Sequence, residues 1–347
     1  MTGSVESVDA AVVALTMGEP AGVGGELALK AWLRRGDGVP VFCVIDDAAR
    51  LSALAKSLGL DVPVAAVAAP AAARQVWERA LPVLSHALVV SATAGRPDPL
   101  NAAAVLGAIE RAVALAQAGE AAAIVTNPIH KATLYEAGFR LPGHTEYLGE
   151  LVQATEPPVM MLTCPGLRAV PVTVHLPLAS AVKALTREAI VRCGRVTAAA
   201  LGRDFGIAAP RLAVAALNPH AGESDALGRE ERQIIAPAVA ELRAAGIAVS
   251  GPAPADSLFH AEARARYDAA LCMYHDQALI PIKTIDFRGG VNITLGLPIV
   301  RTSPDHGTAL DIAGRGIAEP DSLIAALLTA AEIARRRRGA GRQSAVA

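Results

Sequence analysis

Short apolar runs alternate with segments whose apolar residues recur at helical spacing along most of the chain. The runs predict buried strands, and the segments between them predict helices such as Glu26–Leu33 and Thr186–Arg203. The predicted strands cover 10–16, 39–45, 62–68, 87–92, 121–126, 158–164, 170–175, 212–220, 269–273 and 291–301. Strands that alternate with helices in this way favour an α/β fold with a mostly parallel sheet, in which 158–164 and 170–175 form an antiparallel pair.

Three of the apolar runs lead to a histidine. The runs Val170–His175 and Leu212–His220 each end on one, and His275 follows the run Ala269–Met273. Functional groups of α/β proteins collect at the carboxyl ends of strands, so the three imidazoles are expected at one edge of the sheet. Three histidines with an open coordination position would form a catalytic metal site. The alternative is three hydrogen-bonding histidines in separate loops.

Three loops carry further candidate groups. The segment Gly18–Gly25 lies between a strand and a helix. It lacks both the third glycine of a dinucleotide fingerprint and the Gly-Lys-Ser/Thr of a phosphate loop, so it is interpreted as a tight turn near a site. His144 can contact an anionic ligand near a helix start, where Thr145 can instead serve as the N-cap. Asp256 either caps the helix that follows it or approaches the metal.

Composition narrows the class of protein. With 347 residues, 52% of them hydrophobic, the chain can form two domains or one large α/β unit. Few aromatic residues and a net charge of −1 disfavour nucleic-acid binding, and the run Arg335–Arg338 is interpreted as charge at a helix C-terminus. A cytoplasmic location is predicted from three features. The cysteines are not closely paired, the N-terminus is polar, and no apolar stretch is long enough to span a bilayer.

Several motifs occur together in an order that resembles one enzyme family. They are Gly18-Glu-Pro-Ala-Gly-Val-Gly24, Thr126-Asn-Pro-Ile-His-Lys131, Pro142-Gly-His-Thr-Glu146, Val172–Pro177, Asn218-Pro-His-Ala-Gly-Glu223, Gly251–Asp256, Tyr274–Lys283, Val291–Pro298 and Arg301–Ala309. From about residue 12 to residue 330, the chain resembles the 4-hydroxythreonine-4-phosphate dehydrogenase family of vitamin B6 biosynthesis.

The resemblance implies a fold and a reaction. The fold is α/β, of the isocitrate/isopropylmalate dehydrogenase type, with two domains around an active-site cleft, and the family works as a homodimer. Residues 10–338 are therefore predicted to form one catalytic unit of two interwoven α/β subdomains, between a disordered tail at 1–9 and a flexible tail at 339–347. The implied reaction oxidises 4-phosphooxy-L-threonine with NAD or NADP and then releases CO2, giving 3-amino-2-oxopropyl phosphate.

The matching motifs also imply site residues. The metal ligands would be His175, His220 and His275, in a site shared between subunits; three imidazoles suit zinc or cobalt, while magnesium prefers oxygen. The implied substrate-binding residues are His144, Thr145, Lys283, Asn292 and Arg301. The segment His306–Gly314 resembles a cofactor loop, with His306, Gly307 and Asp311 as its contacts.

The implied chemistry leaves two matters open. Oxidation of the alcohol yields a β-keto acid that decarboxylates when its ketone oxygen is polarised, and one Lewis-acidic metal can serve both steps. Lys283 and Asp256 are the candidates for the general base. Lys283 could instead bind the phosphate or carboxylate of the substrate, as Arg301 could. Alternative functions are a related dehydrogenase of D-threonate or D-erythronate 4-phosphate or of a dihydrodiol dicarboxylate, or a non-catalytic metal- or phosphate-binding protein.

Overall fold

The computed structural model describes residues 12–141 and 143–344. Its strands are β1 (Val13–Thr16), β2 (Phe42–Asp46), β3 (Val64–Ala66), β4 (Leu81–Ser85), β5 (Ala123–Thr126), β6 (Val159–Cys164), β7 (Leu167–Pro171), β8 (Arg211–Ala215), β9 (Ala248–Ala253), β10 (Ala269–Cys272), β11 (Val291–Leu295) and β12 (Arg301–Pro304). Its helices are α1 (Gly24–Leu33), α2 (Ala48–Ser57), α3 (Ala73–Val76), α4 (Ala102–Gln117), α5 (Lys131–Glu136), α6 (His144–Leu151), α7 (Leu178–Ala184), α8 (Arg187–Phe205), α9 (Ala236–Ala244), α10 (Ala261–Arg264), α11 (His275–Ile285) and α12 (Asp321–Ser344).

The chain divides into two compact units. Unit 1 comprises Met1–Gln153 and Leu297–Arg335, and unit 2 comprises Ala154–Gly296 and Arg336–Ala347. The organisation of 10–338 as one catalytic unit of interwoven subdomains stays a prediction. The predicted tail at 1–9, like the last three residues of the tail at 339–347, lies outside the described residues.

Unit 1 contains a parallel sheet with the strand order β3-β4-β2-β1-β5-β12. Every residue of β1, β2 and β5 is buried, as expected for parallel strands covered on both faces. Helix α4 packs against β1 and β5 through its small and aliphatic residues. By length and composition the segment Pro99–Gln117 could also cross a membrane, but a buried core helix passes the same test, so this is weak evidence.

Unit 2 contains a mixed sheet with the strand order β11-β6-β7-β10-β8-β9. Strands β11, β6 and β7 pair in antiparallel fashion, and β7, β10, β8 and β9 are parallel. The predicted antiparallel pairing of 158–164 with 170–175 is confirmed by β6 and β7. A tight turn joins these two strands, and Gly166 adopts the positive φ of 80° in that turn.

A buried carboxylate joins helices α8 and α12 within unit 2. Asp204 accepts hydrogen bonds from Arg203 Nε at 2.7 Å and from Arg337 Nε at 2.7 Å, with a second bond to each guanidinium at 3.0 Å. Burial alone would raise the pKa of Asp204, but the two guanidinium groups outweigh it and hold that pKa below its ordinary value. The C-terminal part of α12 is thereby anchored to α8.

Outside the strands that lead to the histidines, three predicted elements differ clearly from the structure. The strand predicted at 87–92 is wrong, because the strand is β4 and 87–92 form a partly exposed loop in which Val89 faces solvent. The single strand predicted at 291–301 is two strands, β11 and β12, separated by Gly296 with φ 85°. The last helix, predicted to end at Arg338, continues to Ser344 through Gly339 and Gly341, since each glycine costs a helix only about 1 kcal/mol.

Candidate functional site

The loops that carry the three histidines lie at one edge of the unit 2 sheet. Strands β7, β10 and β8 are adjacent and parallel, so their carboxyl ends share that edge. The strands stop before the histidines, at Pro171, Cys272 and Ala215 respectively, so the prediction that the strands end on histidines is wrong in detail. Strand ends tolerate the irregular backbone that follows, and His175 and His220 both have positive φ, at 47° and 50°.

Two of the histidines are neighbours. The ring centroids of His175 and His275 are 5.7 Å apart, and both rings line a pocket of about 190 Å³ together with Thr173 and Tyr274. The Nδ1 atom of His275 lies 2.7 Å from Asp276 Oδ1. In the tautomer that donates from Nδ1, the carboxylate fixes the ring and leaves the lone pair of Nε2 for a metal.

His220 begins a left-handed turn. Residues from His220 to Asp225 all have φ between 41° and 85°, and each non-glycine residue in this region costs about 1–2 kcal/mol. The buried carboxylate of Glu231 opposes that cost, since its Oε1 accepts from Leu217 N at 2.9 Å and Asn218 N at 2.7 Å. Within 12–141 and 143–344 no three His, Cys, Asp or Glu side chains form a group that could hold a metal ion.

Unit 1 contains a buried cation. Arg301 begins β12 opposite Ile124 of β5 and is 3% exposed. Its Nε and Nη2 donate to Thr126 Oγ1 at 3.2 and 2.6 Å. Burial lowers the pKa of Arg301 to about 10, against the opposing effect of Glu146, so the guanidinium is charged at neutral pH. A buried, oriented guanidinium is suited to bind a phosphate or carboxylate.

His144 stands beside this cation at the start of helix α6. The helix begins at His144, and Gly143 occupies the N-cap position. The N-cap role considered for Thr145 is therefore wrong, and Thr145 lies in the first turn. The Nε2 atom of His144 is buried, and no partner within hydrogen-bonding distance lies among the described residues. Burial, followed by Arg301 and Lys131, lowers the pKa of His144 well below its ordinary value, so its imidazole is neutral.

The glycine-rich loop and the predicted cofactor loop touch within unit 1. Val23 N donates to Thr308 O at 3.1 Å, and a Cβ at Gly22 would lie 2.8 Å from that oxygen. Next to them is a cavity of about 650 Å³, lined by residues that include Gly22, Glu26 and Gly314. The size is within the range of small-molecule and cofactor sites.

The predicted cofactor contacts lie in the segment between β12 and α12. His306 Nδ1 is 2.9 Å from Gly307 O, while Gly307 and Asp311 are exposed. The buried Glu26 accepts from Ala318 N at 3.0 Å, and Lys30 Nζ donates to Ala318 O at 2.6 Å. These two bonds tie helix α1 to the segment just beyond the loop.

The other predicted residues lie in unit 2. Lys283 is in the last turn of α11, with Nζ 5.2 Å from the ring centroid of Phe287. Asn292 lies on β11, and its Oδ1 is buried without a hydrogen-bond partner among the described residues. Asp256 is exposed in a 3-10 turn, and the residue at the N-cap of α10 is His260, so the capping role considered for Asp256 is wrong.

Three buried side chains that hold these groups in place were not predicted from the sequence. Thr126, Glu231 and Gln277 are buried and hydrogen-bonded to a candidate site residue or to the backbone of its loop. Thr126 and Gln277 belong to motifs already singled out. A buried polar residue inside such a motif was the available signal.

These features define an α/β enzyme with histidine and arginine groups at the ends of parallel strands, and comparison with known proteins narrows the class. Residues 39–330 match the family model described as pyridoxal phosphate biosynthetic protein PdxA. The chain is 60% identical over 330 residues to the 4-hydroxythreonine-4-phosphate dehydrogenase of Caulobacter vibrioides, covering 94% of this chain and 98% of that relative. The chain therefore belongs to the PdxA family, and the prediction of an oxidoreductase is confirmed.

Solved structures agree with this assignment. The chain is similar to the 4-hydroxythreonine-4-phosphate dehydrogenase of Klebsiella pneumoniae, with a TM-score of 0.84 and 36% identity over 93% of this chain and 99% of that one. It is less similar to a terephthalate 1,2-cis-dihydrodiol dehydrogenase of Burkholderia xenovorans, with a TM-score of 0.60 and 28% identity over 93% of this chain and 98% of that one. The predicted α/β fold class is confirmed.

Proposed function

We propose that the chain catalyses the NAD(P)-dependent and divalent-metal-dependent oxidation and decarboxylation of 4-phosphooxy-L-threonine. Removal of hydride from C3 and of the proton from its hydroxyl gives a ketone beside C2, which bears the carboxylate. Loss of CO2 and protonation at C2 then give 3-amino-2-oxopropyl phosphate. The similarity to relatives of that name over nearly the whole chain supports this substrate.

The observation that carries the proposal is the buried guanidinium of Arg301 beside the neutral imidazole of His144. The substrate has two anionic groups, a phosphate and a carboxylate, and a buried guanidinium can bind either of them through charge-assisted hydrogen bonds. The first turn of α6 adds the backbone N–H groups of a helix N-terminus, near Thr145. A neutral His144 can donate to an anion without a second buried charge.

A metal fits the pair His175 and His275. Their imidazoles share one pocket wall, and Asp276 orients one of them as carboxylates orient metal-bound histidines. Zinc or cobalt suits these ligands, with His220 as the third. When bound, the metal would supply Lewis acidity at the substrate hydroxyl and at the ketone oxygen.

A homodimer that shares this site between subunits is part of the proposal. Next to His175, Leu176 is 45% exposed and Leu178 is 60% exposed, and both line the histidine pocket. Apolar side chains beside a functional pocket suit a protein interface. A second copy of the chain can cover them and bring its own histidine to the metal.

The cofactor NAD or NADP is assigned to unit 1. The contact of Thr308 with the glycine-rich loop and the adjacent cavity of about 650 Å³ support this assignment, with His306, Gly307 and Asp311 as contacts.

The four cysteines are buried free thiols, which fits a reducing cytoplasm.

Unit 2 supplies the remaining proposed groups. Lys283 and Asn292 would bind substrate, and Lys283 or Asp256 would take the hydroxyl proton as general base. Lys283 is partly buried, whereas Asp256 is exposed, so Lys283 is the better candidate for a base that acts in a site closed to water.

Steady-state NAD reduction with a panel of substrates tests the proposal. We expect the highest kcat/KM with 4-phosphooxy-L-threonine, compared with D-threonate 4-phosphate, D-erythronate 4-phosphate and a cis-dihydrodiol dicarboxylate. A higher kcat/KM for any of the other three would overturn the substrate assignment and leave the fold unaffected.

A further inference from the structure

A chain of buried hydrogen bonds crosses the carboxyl ends of β7, β10 and β8. Thr173 Oγ1 donates to Met273 O at 2.8 Å, and Met273 N donates to Gln277 Oε1 at 2.6 Å. The other end of the same amide, Gln277 Nε2, donates to Ala216 O at 2.7 Å. The chain therefore connects three loops, each of which leads to one of the candidate metal ligands.

Each bonded backbone group lies close to a histidine in sequence. Met273 lies two positions before His275, and Thr173 two positions before His175. Ala216 begins the loop that leads to His220. Both backbone groups of Met273 bond to side chains, so the two peptide units that flank Met273 are each held by a buried hydrogen bond.

Within this network of hydrogen bonds, the side chain of Gln277 bonds to the backbone of two loops. It is 7% exposed, and its amide has one acceptor and one donor, which the two loops use in opposite directions. A buried amide that satisfies two backbone groups is costly to replace, because each would lose its partner without gaining water. No step assigned above uses Gln277.

We propose that Gln277 is a positioning residue that holds the His275 and His220 loops in the register needed for metal binding, and that Thr173 does the same for the His175 loop. This inference rests on the proposed metal site. Groups that orient metal ligands from behind typically change metal affinity 10- to 100-fold when they are removed. We therefore expect a 10- to 100-fold loss of metal affinity when Gln277 or Thr173 loses its hydrogen bonds. A variant that is destabilised to the same extent elsewhere in the protein should not lose metal affinity.

The first experiment measures Zn²⁺ affinity of the full-length chain by competition with a chromogenic chelator. Gln277→Met preserves length and removes both hydrogen bonds. The matched control is Asn101→Leu in unit 1, since Asn101 is also a buried amide; it accepts from Val89 N and Val90 N at 3.1 Å and donates to Val90 O at 3.0 Å. Gln277→Met should bind Zn²⁺ at least about tenfold more weakly than wild type, whereas Asn101→Leu should lower Tm but retain wild-type affinity.

The outcomes separate this inference from the metal site itself. Wild-type affinity in Gln277→Met would overturn the positioning role, and so would an equal loss in Asn101→Leu, since the loss would then follow general destabilisation. A wild-type chain that binds no Zn²⁺ would overturn the proposed metal site and this inference with it.

A second pair of variants decides the question if Gln277→Met does not fold. Thr173→Val removes the hydroxyl that donates to Met273 O, and Thr173→Ser keeps it. The valine variant should lose Zn²⁺ affinity and shift the visible absorption of the Co²⁺-loaded protein, while the serine variant should match wild type. Equal behaviour of the two variants would refute the role of this hydrogen-bonded chain.

Discussion

Replacing Arg301 by lysine tests whether the buried guanidinium binds an anionic group of the substrate. In the native protein, Arg301 donates twice to Thr126 Oγ1, at 3.2 and 2.6 Å, and is 3% exposed. Lysine keeps the charge and loses the planar fork that grips two oxygens. Loss of one charge-assisted hydrogen bond costs about 1.5–3 kcal/mol, which is roughly a 10- to 150-fold loss in kcat/KM.

The variant should also acquire a pH dependence. Burial lowers the pKa of Arg301 to about 10. The same burial would lower the pKa of a lysine at this position below its ordinary value of about 10.4. Raising the pH through that lowered pKa would then remove the cation, so kcat/KM of Arg301→Lys should fall with pH faster than that of wild type.

The assay is NAD reduction with 4-phosphooxy-L-threonine over a pH series, with kcat/KM of each protein compared at every pH. Thr126→Ser is the control, because it retains the hydroxyl that accepts from Arg301 and should keep activity close to wild type. A ratio of variant to wild-type kcat/KM near one at every pH would refute the anion-binding role of Arg301.

Three further predictions concern the metal, the cofactor and the fold. His275→Ala should lose bound metal and activity while remaining folded, and a measurement of metal content that shows retained metal would contradict this. Mixing His275→Ala with His220→Ala subunits should restore some activity, and no recovery after verified subunit exchange would contradict a site shared between subunits. Gly22→Ala places a Cβ 2.8 Å from Thr308 O, so KM for NAD should rise several-fold in steady-state kinetics, and an unchanged KM contradicts the cofactor assignment. Asp204→Asn should lower the free energy of unfolding by about 2–3 kcal/mol at neutral pH, by denaturant titration. Because the folded pKa of Asp204 is lowered, this stabilisation is present above about pH 4 and is lost as the pH falls through the folded pKa, so the wild-type and variant curves should converge in acid.

The edge of the unit 2 sheet that carries the candidate histidines could be predicted, because short stretches of sequence are enough to indicate it. An apolar run marks a buried strand, and a polar residue soon after it marks the strand's carboxyl end. The adjacency of β7, β10 and β8 depends on pairing between residues far apart in sequence, such as Ala270 with Ala169 and Ala269 with Leu212, and no local pattern specifies it.

The backbone conformations and buried hydrogen bonds of the site depend on tertiary contacts, which the local sequence does not specify. The left-handed backbone at His175 and His220 is unfavourable for the isolated residues and is adopted because the surrounding structure stabilises it, in part through Glu231. The start of α6 at His144 also departs from local expectation, since Thr145 is the better N-cap by residue type. Polar residues with ordinary local propensities, such as Gln277, take their roles from partners distant in sequence.

A metal-dependent oxidative decarboxylation requires that NADH and CO2 form together and that both depend on a bound metal. Purified protein is mixed with NAD and 4-phosphooxy-L-threonine, and NADH and CO2 are measured together before chelation, after chelation and after a divalent metal is restored. We predict equal amounts of NADH and CO2, loss of both on chelation, and recovery of both with zinc or cobalt. NADH formation that persists in full after verified removal of metal would contradict the account.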